Sequence, residues 1–259
     1  MCSQSPASPD DWDSHWGRYA DSAVRNPAQR MRHNFIVRLL LQSGQNRDAR
    51  IFDLGSGQGD LLQKLDGLLP SASLLGAEMS EKGVAISRQK VPRATFVVAD
   101  IFRPPPALDA YLGWATHAIC SEVLEHVDDP VSFLDTARKY LADGAKLILT
   151  VPAGPMSAFD RHIGHRQHFD RGKIKEMLKQ AGYRTERVYA IGFPFFNIYR
   201  LLVIAGGKRL ARDVNAESRG ITAALASSLM KLFDVLFRGN TRDSLFGWQL
   251  VAIAHKTSP

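Results

Sequence analysis

After Gly44 the sequence alternates short apolar runs with amphipathic segments, and this alternation constrains the fold more than any other feature of the 259-residue chain. It is the pattern of βα units closing into a parallel sheet. Strands are expected at about 50–54, 73–78, 94–99, 115–120 and 145–151. Helices fill the gaps at about 59–69, 80–89 and 130–142, with Asp128 or Asp129 capping ahead of Pro130. Asp170 precedes a helix that runs to Gln180 and ends at Gly182. Thr185–Ile191 reads as a further strand and Leu245–His255 as the last one.

The remaining segments fall outside this alternation. Residues 1–9 offer no periodic apolar face and read as a disordered tail. Residues 10–44 read as an N-terminal helical cap of two helices, with Trp12, Trp16 and Tyr19 at helical steps, then Met31, Phe35, Leu39 and Leu40 after Pro27. Residues 45–193 form the α/β core and 241–259 carry its last strand. Between them, 194–240 is longer than a simple connection needs and contains two apolar-faced helices, about 194–211 and 219–237. They form an added helical subdomain, a lid over a lipophilic substrate, or surface-seeking helices.

Chemistry concentrates at the strand ends. The first strand, Arg50-Ile51-Phe52-Asp53-Leu54, runs into Gly55-Ser56-Gly57-Gln58-Gly59-Asp60 and then a helix. Glycines there let backbone approach a ligand, and the free N–H groups of the helix start favour its polar or anionic parts. The G-x-G-x-G spacing lacks the third glycine position of the dinucleotide fingerprint, which disfavours a nicotinamide cofactor. The second strand ends in Glu78-Met79, about 20 residues past the loop, where a carboxylate accepts two hydrogen bonds from a ribose. The third ends in Ala99-Asp100-Ile101, an acid for an exocyclic amine beside an apolar neighbour for an aromatic ring.

In order and spacing, DLGSGQGD, GAEMSE, VVADIF and ICSEVLEHVDDP resemble a class I S-adenosylmethionine-dependent methyltransferase over about residues 45–190. The resemblance implies a Rossmann-like α/β fold: a seven-stranded, mostly parallel sheet whose last strand is antiparallel, with the N-terminal helical cap and the insertion before that strand. It implies S-adenosylmethionine as cofactor, with Asp53, Gly55, Ser56, Gly57 and Gly59 around the methionine part and Glu78 on the ribose hydroxyls. Met79 and Ile101 would sandwich the adenine, Asp100 would hold its amine, and Ser121 would complete the site. SEVLEHV is similar to small-molecule enzymes of the ubiquinone-biosynthesis O-methyltransferase type, and no Asn/Asp-Pro-Pro-Tyr/Phe element of nucleic-acid amine methylation occurs. Nucleic acid is therefore not an expected partner. Asp160-x-x-x-Gly164-His165-x-Gln167-His168-Phe169 resembles a D-x-x-x-G-H-x-R-R-Y motif of a bacterial subset, with Gln167 and His168 in the arginine positions.

Methyl transfer from a sulfonium is an in-line displacement in which alignment and exclusion of water supply much of the effect. A hydroxyl or carbon-acid acceptor also needs a base, and the candidates are Glu122, Glu125, His126, His165 and His168, with His165 first. Glu122, Glu125 and His126 share one face if their segment is helical, and such a group also has the chemistry to hold a divalent ion. The expectation is nevertheless that no metal is required.

Charge narrows the acceptor. The formal charge is +7, yet Asp160 to Arg212 alone carries twelve bases and four acids, so the remainder of the chain sums to −1. Basicity concentrated beside the aromatic helix at Pro194 suggests a small, lipophilic acceptor with an acidic group, or an anionic surface. Two cysteines, Cys2 and Cys120, build no disulfide framework, the N-terminus has no signal-peptide pattern, and no apolar stretch approaches the ~20 residues of a membrane span. A cytosolic protein is expected, with peripheral contact to an anionic membrane as an option. The rival readings are a regulatory protein that binds S-adenosylmethionine without turnover and a membrane-surface module.

Overall fold

A computed structural model describes residues 11–17, 26–42, 48–213 and 221–258, and gives no side-chain placement for 207–213 and 221–227. The expected tail at 1–9, Cys2 and Tyr19 lie outside the described residues. Helix α1 covers residues 12–17, and α2 (Pro27–Leu41) begins with Asn26 capping the Ala28 N–H and proline in its first turn. The βα alternation then follows: β1 (Arg50–Leu54), α3 (Asp60–Leu68), β2 (Ser73–Glu78), α4 (Glu81–Lys90), β3 (Thr95–Val98), β4 (Ala115–Ser121), α5 (Pro130–Arg138) and β5 (Leu141–Pro152). After it come α6 (Ala158–His162), α7 (Arg171–Gln180), β6 (Tyr183–Ile191), α8 (Phe195–Asp213), α9 (Ile221–Leu236) and β7 (Gln249–Lys256).

The seven strands form one sheet in the order β3-β2-β1-β4-β5-β7-β6, parallel except for β7, which runs antiparallel to both neighbours. This is a Rossmann-like methyltransferase sheet. Its central strands are buried on both faces, and their period of two divides the core. Phe52, Cys120 and Leu149 pack with Phe133 and Leu134 of α5 and Ile174 and Leu178 of α7. Their chain neighbours Ile51, Ile119 and Ile148 pack with Ile36 and Leu40 of α2 and Leu62 and Leu65 of α3. The strand order reverses between β1 and β4, so a crevice opens beyond their carboxyl ends, where such sheets bind ligands.

Several boundaries differ from the sequence-based expectation. Helix α5 stops at Arg138 rather than 142, and β5 begins at Leu141 rather than 145. Gly144 (φ +70°) lies inside the strand, at a shift of register between β4 and β5. The last strand starts at Gln249, not Leu245, because Leu245 and Phe246 project into solvent. Strand β6 gains Tyr183 and Arg184 at its start.

The helices before β7 do not pack only on each other. Phe196 of α8 and Phe233 and Phe237 at α9 cluster with Ala28 of α2, and Arg30 of α2 pairs with Asp234 of α9. Helices α2, α8 and α9 therefore make one small apolar unit beside the carboxyl edge of the sheet.

Candidate active site

Beyond that edge lies a cavity of about 870 Å³, within the ~300–1,000 Å³ range of small-molecule sites and near its upper end. One end is built by the glycine loop. Gly55 and Ser56 donate to Ala77 O, and the Gly57 N–H donates to Glu78 Oε2 at 2.9 Å while Ser80 N donates to Oε1 at 3.0 Å. Glu78 thus fixes the loop. Gly57 (φ +55°) cannot be replaced without conflict, since a Cβ there would stand 2.6 Å from the Trp16 ring.

Asp53, near the end of β1 beside this loop, is 2% exposed, and its carboxylate has no hydrogen-bond partner among the described residues. Burial, then the neighbouring Glu78 charge, pushes its carboxyl up to about 7. Burial also raises Glu78, opposed by the N–H groups of Ser80 and Gly57. Met79, half exposed, and Ile101, buried, both line the cavity with Asp100. Asp100 accepts from Phe102 N and pairs with Arg103, so part of its capacity holds its own turn. Gly59 is not on the cavity wall. It is the left-handed residue before α3, where a Cβ would meet Ser87 of α4.

The opposite wall starts where β4 ends. Ser121 lines the cavity, and Glu122 takes φ +57°, a region unfavourable for a residue with a Cβ. Thr150 Oγ1 and Gln249 Nε2 both donate to Glu122 Oε1, at 3.0 and 2.8 Å, so β5 and β7 aim this carboxylate. The grouping expected from a helix is corrected here. Leu124–His126 is a single 3-10 turn, and the ligand atoms of Glu125, His126 and His165 lie within 4.8 Å of one another, a set that Glu122 adjoins without joining.

Hydrogen bonds fix the tautomers in this wall, because a carbonyl only accepts. His126 Nδ1 donates to Gly164 O at 3.2 Å, and His168 Nδ1 donates to Gly154 O at 3.1 Å. His168 Nε2 is then an acceptor, so His165 Nδ1 donates to it at 3.2 Å and His165 Nε2 keeps its lone pair. His168 itself does not line the cavity; it orients His165. Burial holds His165 down at about 3 and His126 at about 4, so both rings are neutral at physiological pH. Glu125 is fully buried with neither carboxylate oxygen hydrogen-bonded, and burial, with Glu122 beside it, raises its carboxyl well above the usual range. Two clusters among the described residues have metal-ligand chemistry: Glu125, His126 and His165, and Asp160, His165 and His168. In the second, the His165–His168 hydrogen bond already occupies the ligand atoms.

The sequence did not single out two arginines of the site. Arg32 of α2 and Arg200 of α8 both line the cavity and are 14% and 13% exposed. Arg200 lies across Asp160, Nη1 to Oδ1 at 2.9 Å and Nη2 to Oδ2 at 3.1 Å. Burial opposes ionisation of Asp160, but the Ser157 N–H and the Arg200 guanidinium outweigh it and hold the carboxyl below its ordinary value. Of the arginines near the D-x-x-x-G-H segment, Arg166 pairs with Asp128 and Arg171 with Asp243, while Gln167 donates to Val127 O and ties down the loop.

The residues present fit an adenosyl ligand with a cationic amino acid part. A glycine cradle, an unpartnered buried carboxylate and a second carboxylate on the cavity wall meet at one end of a cavity open at the other to neutral imidazoles.

Fold and site together define an α/β protein whose ligand crevice lies at the topological switch point of a methyltransferase sheet. Residues 25–188 match the family described as a methyltransferase domain, and the chain belongs to that family. It is 26% identical over 180 residues to a trans-aconitate 2-methyltransferase of Yersinia pseudotuberculosis, covering 69% of this chain and 63% of that one. The match thus spans less than two thirds of that relative's length. A Variovorax paradoxus protein of the same name is 29% identical over 143 residues, 55% of this chain and 50% of its own. Among solved structures, Haemonchus contortus phosphoethanolamine N-methyltransferase 2, with phosphomonomethylethanolamine and S-adenosylhomocysteine, superposes with a TM-score of 0.62 at 14% identity, covering 97% of this chain and 61% of that one. No helix among the described residues is long and apolar enough to cross a membrane.

Proposed function

We propose that this chain transfers a methyl group from S-adenosylmethionine to a small-molecule acceptor. The observation that carries the reading is the convergence of Asp53, Glu78 and the glycine loop with neutral His165 in one cavity. Asp53 with Gly55, Ser56 and Gly57 would hold the methionine part, Glu78 the ribose, and Met79, Asp100 and Ile101 the adenine. When bound, S-adenosylmethionine supplies an already activated methyl group. This chain's own residues orient the acceptor, exclude water and take a proton if the acceptor has one to lose.

His165 is the candidate for the last task because its Nε2 lone pair is free and its Nδ1 is braced by His168, with burial making it a weaker base than a solvated imidazole. His126, also neutral, stands beside it, ring centroids 4.9 Å apart. Glu122, held by Thr150 and Gln249, positions the wall. The trans-aconitate relatives act, by their name, on a small acid, which supports an acidic acceptor. Phe159, Phe196, Tyr199 and Val203 give the cavity the apolar wall that a lipophilic acceptor requires. The likeness to ubiquinone-type O-methyltransferases rests on the SEVLEHV segment, and cytosolic location with peripheral membrane contact on the charge distribution.

Calorimetry with S-adenosylhomocysteine tests the site, and labelled methyl incorporation into a metabolite extract tests turnover. Absence of binding overturns the reading; label found only in RNA or protein overturns the substrate class. His165→Ala is expected to lower turnover about a hundredfold, in the range of a general base, with affinity for S-adenosylhomocysteine unchanged. An unchanged rate removes His165 as base.

A second reading has one specific observation behind it. Glu125, buried without a hydrogen bond beside His126 and His165, is a carboxylate and imidazole set that suits a divalent cation. Dialysis against EDTA separates the two: turnover that persists favours the metal-free base, and turnover lost and restored by a divalent ion favours the metal.

A further inference from the structure

Two buried guanidinium groups share the acceptor end of the cavity, and their partners differ. Arg200 is neutralised by two close contacts with Asp160. Arg32 is held more loosely: its Nε is buried with no partner, it makes no hydrogen bond among the described residues, and its ion pair with Glu122 is long, Nη1 to Oε2 at 3.6 Å, so its charge is offset while its donors stay unused. Thr150 and Gln249 both donate to Glu122 Oε1, which fixes that carboxylate and leaves Oε2 towards Arg32 beyond hydrogen-bond distance. Both arginines act electrostatically on Tyr199 and Glu125, so they flank a single volume.

A guanidinium removed from water with its donors unused is costly unless something arrives to accept from it. The donor set is planar and forked, which matches a carboxylate in two parallel hydrogen bonds. Glu122 and Asp160 already offset the two cations, so a group bound here adds its own negative charge, and a singly charged carboxylate is tolerated better than the double charge of a phosphate monoester. Around these heads the wall is apolar, with Phe196, Tyr199 and Val203 of α8 and Met230 of α9.

We infer that Arg32 is a specificity-determining residue that holds a carboxylate of the acceptor, with Arg200 fixed beside it by Asp160, so that the preferred acceptor is a monocarboxylate with an apolar body. This rests on the methyl-transfer reading and narrows its substrate class. Arg32 touches the acceptor at a point away from the transferred methyl group, so its role is orientation.

The test uses the full chain saturated with S-adenosylhomocysteine. Calorimetry is run with a series of straight-chain and phenyl-substituted monocarboxylates and with the primary amide of each, matched in size and lacking the charge. At least one acid is expected to bind about tenfold or more tightly than its amide. Arg32→Met is expected to abolish that preference, and Arg32→Lys to restore part of it, keeping the charge without the fork. Phosphate monoesters of the same bodies are expected to bind more weakly than the acids. The inference is overturned if no acid in the series binds better than its amide, if phosphates outrank the acids, or if Arg32→Met leaves the preference intact. The comparison of acid with amide on the unaltered chain needs no variant to fold. Failure of S-adenosylhomocysteine itself to bind sinks the methyl-transfer reading instead, so the two failures are distinguishable.

Discussion

Asp53 shows how a single position couples burial to binding. Its carboxyl, raised to about 7 by burial and by Glu78, has no partner of its own. A cationic amino group arriving there favours the ionised form, so binding draws the proton off. Affinity for S-adenosylhomocysteine is expected to be flat above about pH 7 and to fall roughly tenfold for each pH unit below it. Calorimetry in buffers of different ionisation heat should show proton release near pH 6.5, and a pH-independent affinity between about 5.5 and 8 would contradict the assignment. The sign for the unliganded protein is opposite. Native Asp53 retains a proton that the unfolded chain, with its ordinary value of 3.8, has lost. That residue's contribution to stability therefore declines as pH rises from 3.8 towards 7. Asp53 and Glu78 were legible in the sequence because strand periodicity places both at carboxyl ends beyond a glycine turn. Arg32 and Arg200 were not. A base on a helix ordinarily faces water, and what turns these two inward are Glu122 and Asp160, distant in sequence and set by tertiary packing.

At the scale of elements, α8 is held over the cavity by polar contacts as much as by its aromatic side chains. Asp160 is fully buried at the start of α6, in a capping box with Ser157, and from there grips Arg200 of α8. Breaking one half of a buried pair strands the other charge, so Asp160→Asn is expected to cost about 3–5 kcal/mol. At roughly 2–4 °C per kcal/mol for a domain of this size, thermal unfolding should shift down by about 10 °C. Arg200→Met in the same chain should recover part of the loss. A variant that melts with the wild type would place that pair outside the stability of α8. The sheet and most helices could be read from sequence because two-sided burial writes uninterrupted apolar runs. A local apolar signal does not by itself place a residue in a strand. Leu245-Phe246 is strand-like by composition yet solvent-facing.

Across the whole molecule, helix α1 joins the two ends of the cavity although it lies far from both in sequence. Asp13 Oδ1 accepts from Ser80 Oγ at 2.6 Å and from Lys82 N at 3.1 Å, which pins α1 to the start of α4. One helical turn then spreads its rings in two directions. Trp16 lies against Gly57 and Gly83 at the cofactor end. Trp12 meets the His126 ring edge-on, centroids 4.9 Å apart, at the acceptor end. The sequence marked these tryptophans as a helix face without saying what they cover, since helical spacing fixes a direction relative to the helix and not to the sheet. If α1 closes both ends, removing one ring should loosen binding there without touching the core. Trp16→Ala is expected to weaken S-adenosylhomocysteine about tenfold, the effect of ~1.4 kcal/mol. Asp13→Ala, which removes the pin and leaves the ring, should act in the same direction. Trp12→Ala should spare that affinity and instead reduce turnover. Calorimetry and rates on the three variants separate the outcomes, and equal effects of Trp12→Ala and Trp16→Ala on S-adenosylhomocysteine affinity would mean that α1 acts as one undivided cover. In either case, a cavity whose walls come from α1, α2, β1, β2, β4, α6, α8 and β7 is assembled only when the entire chain has folded.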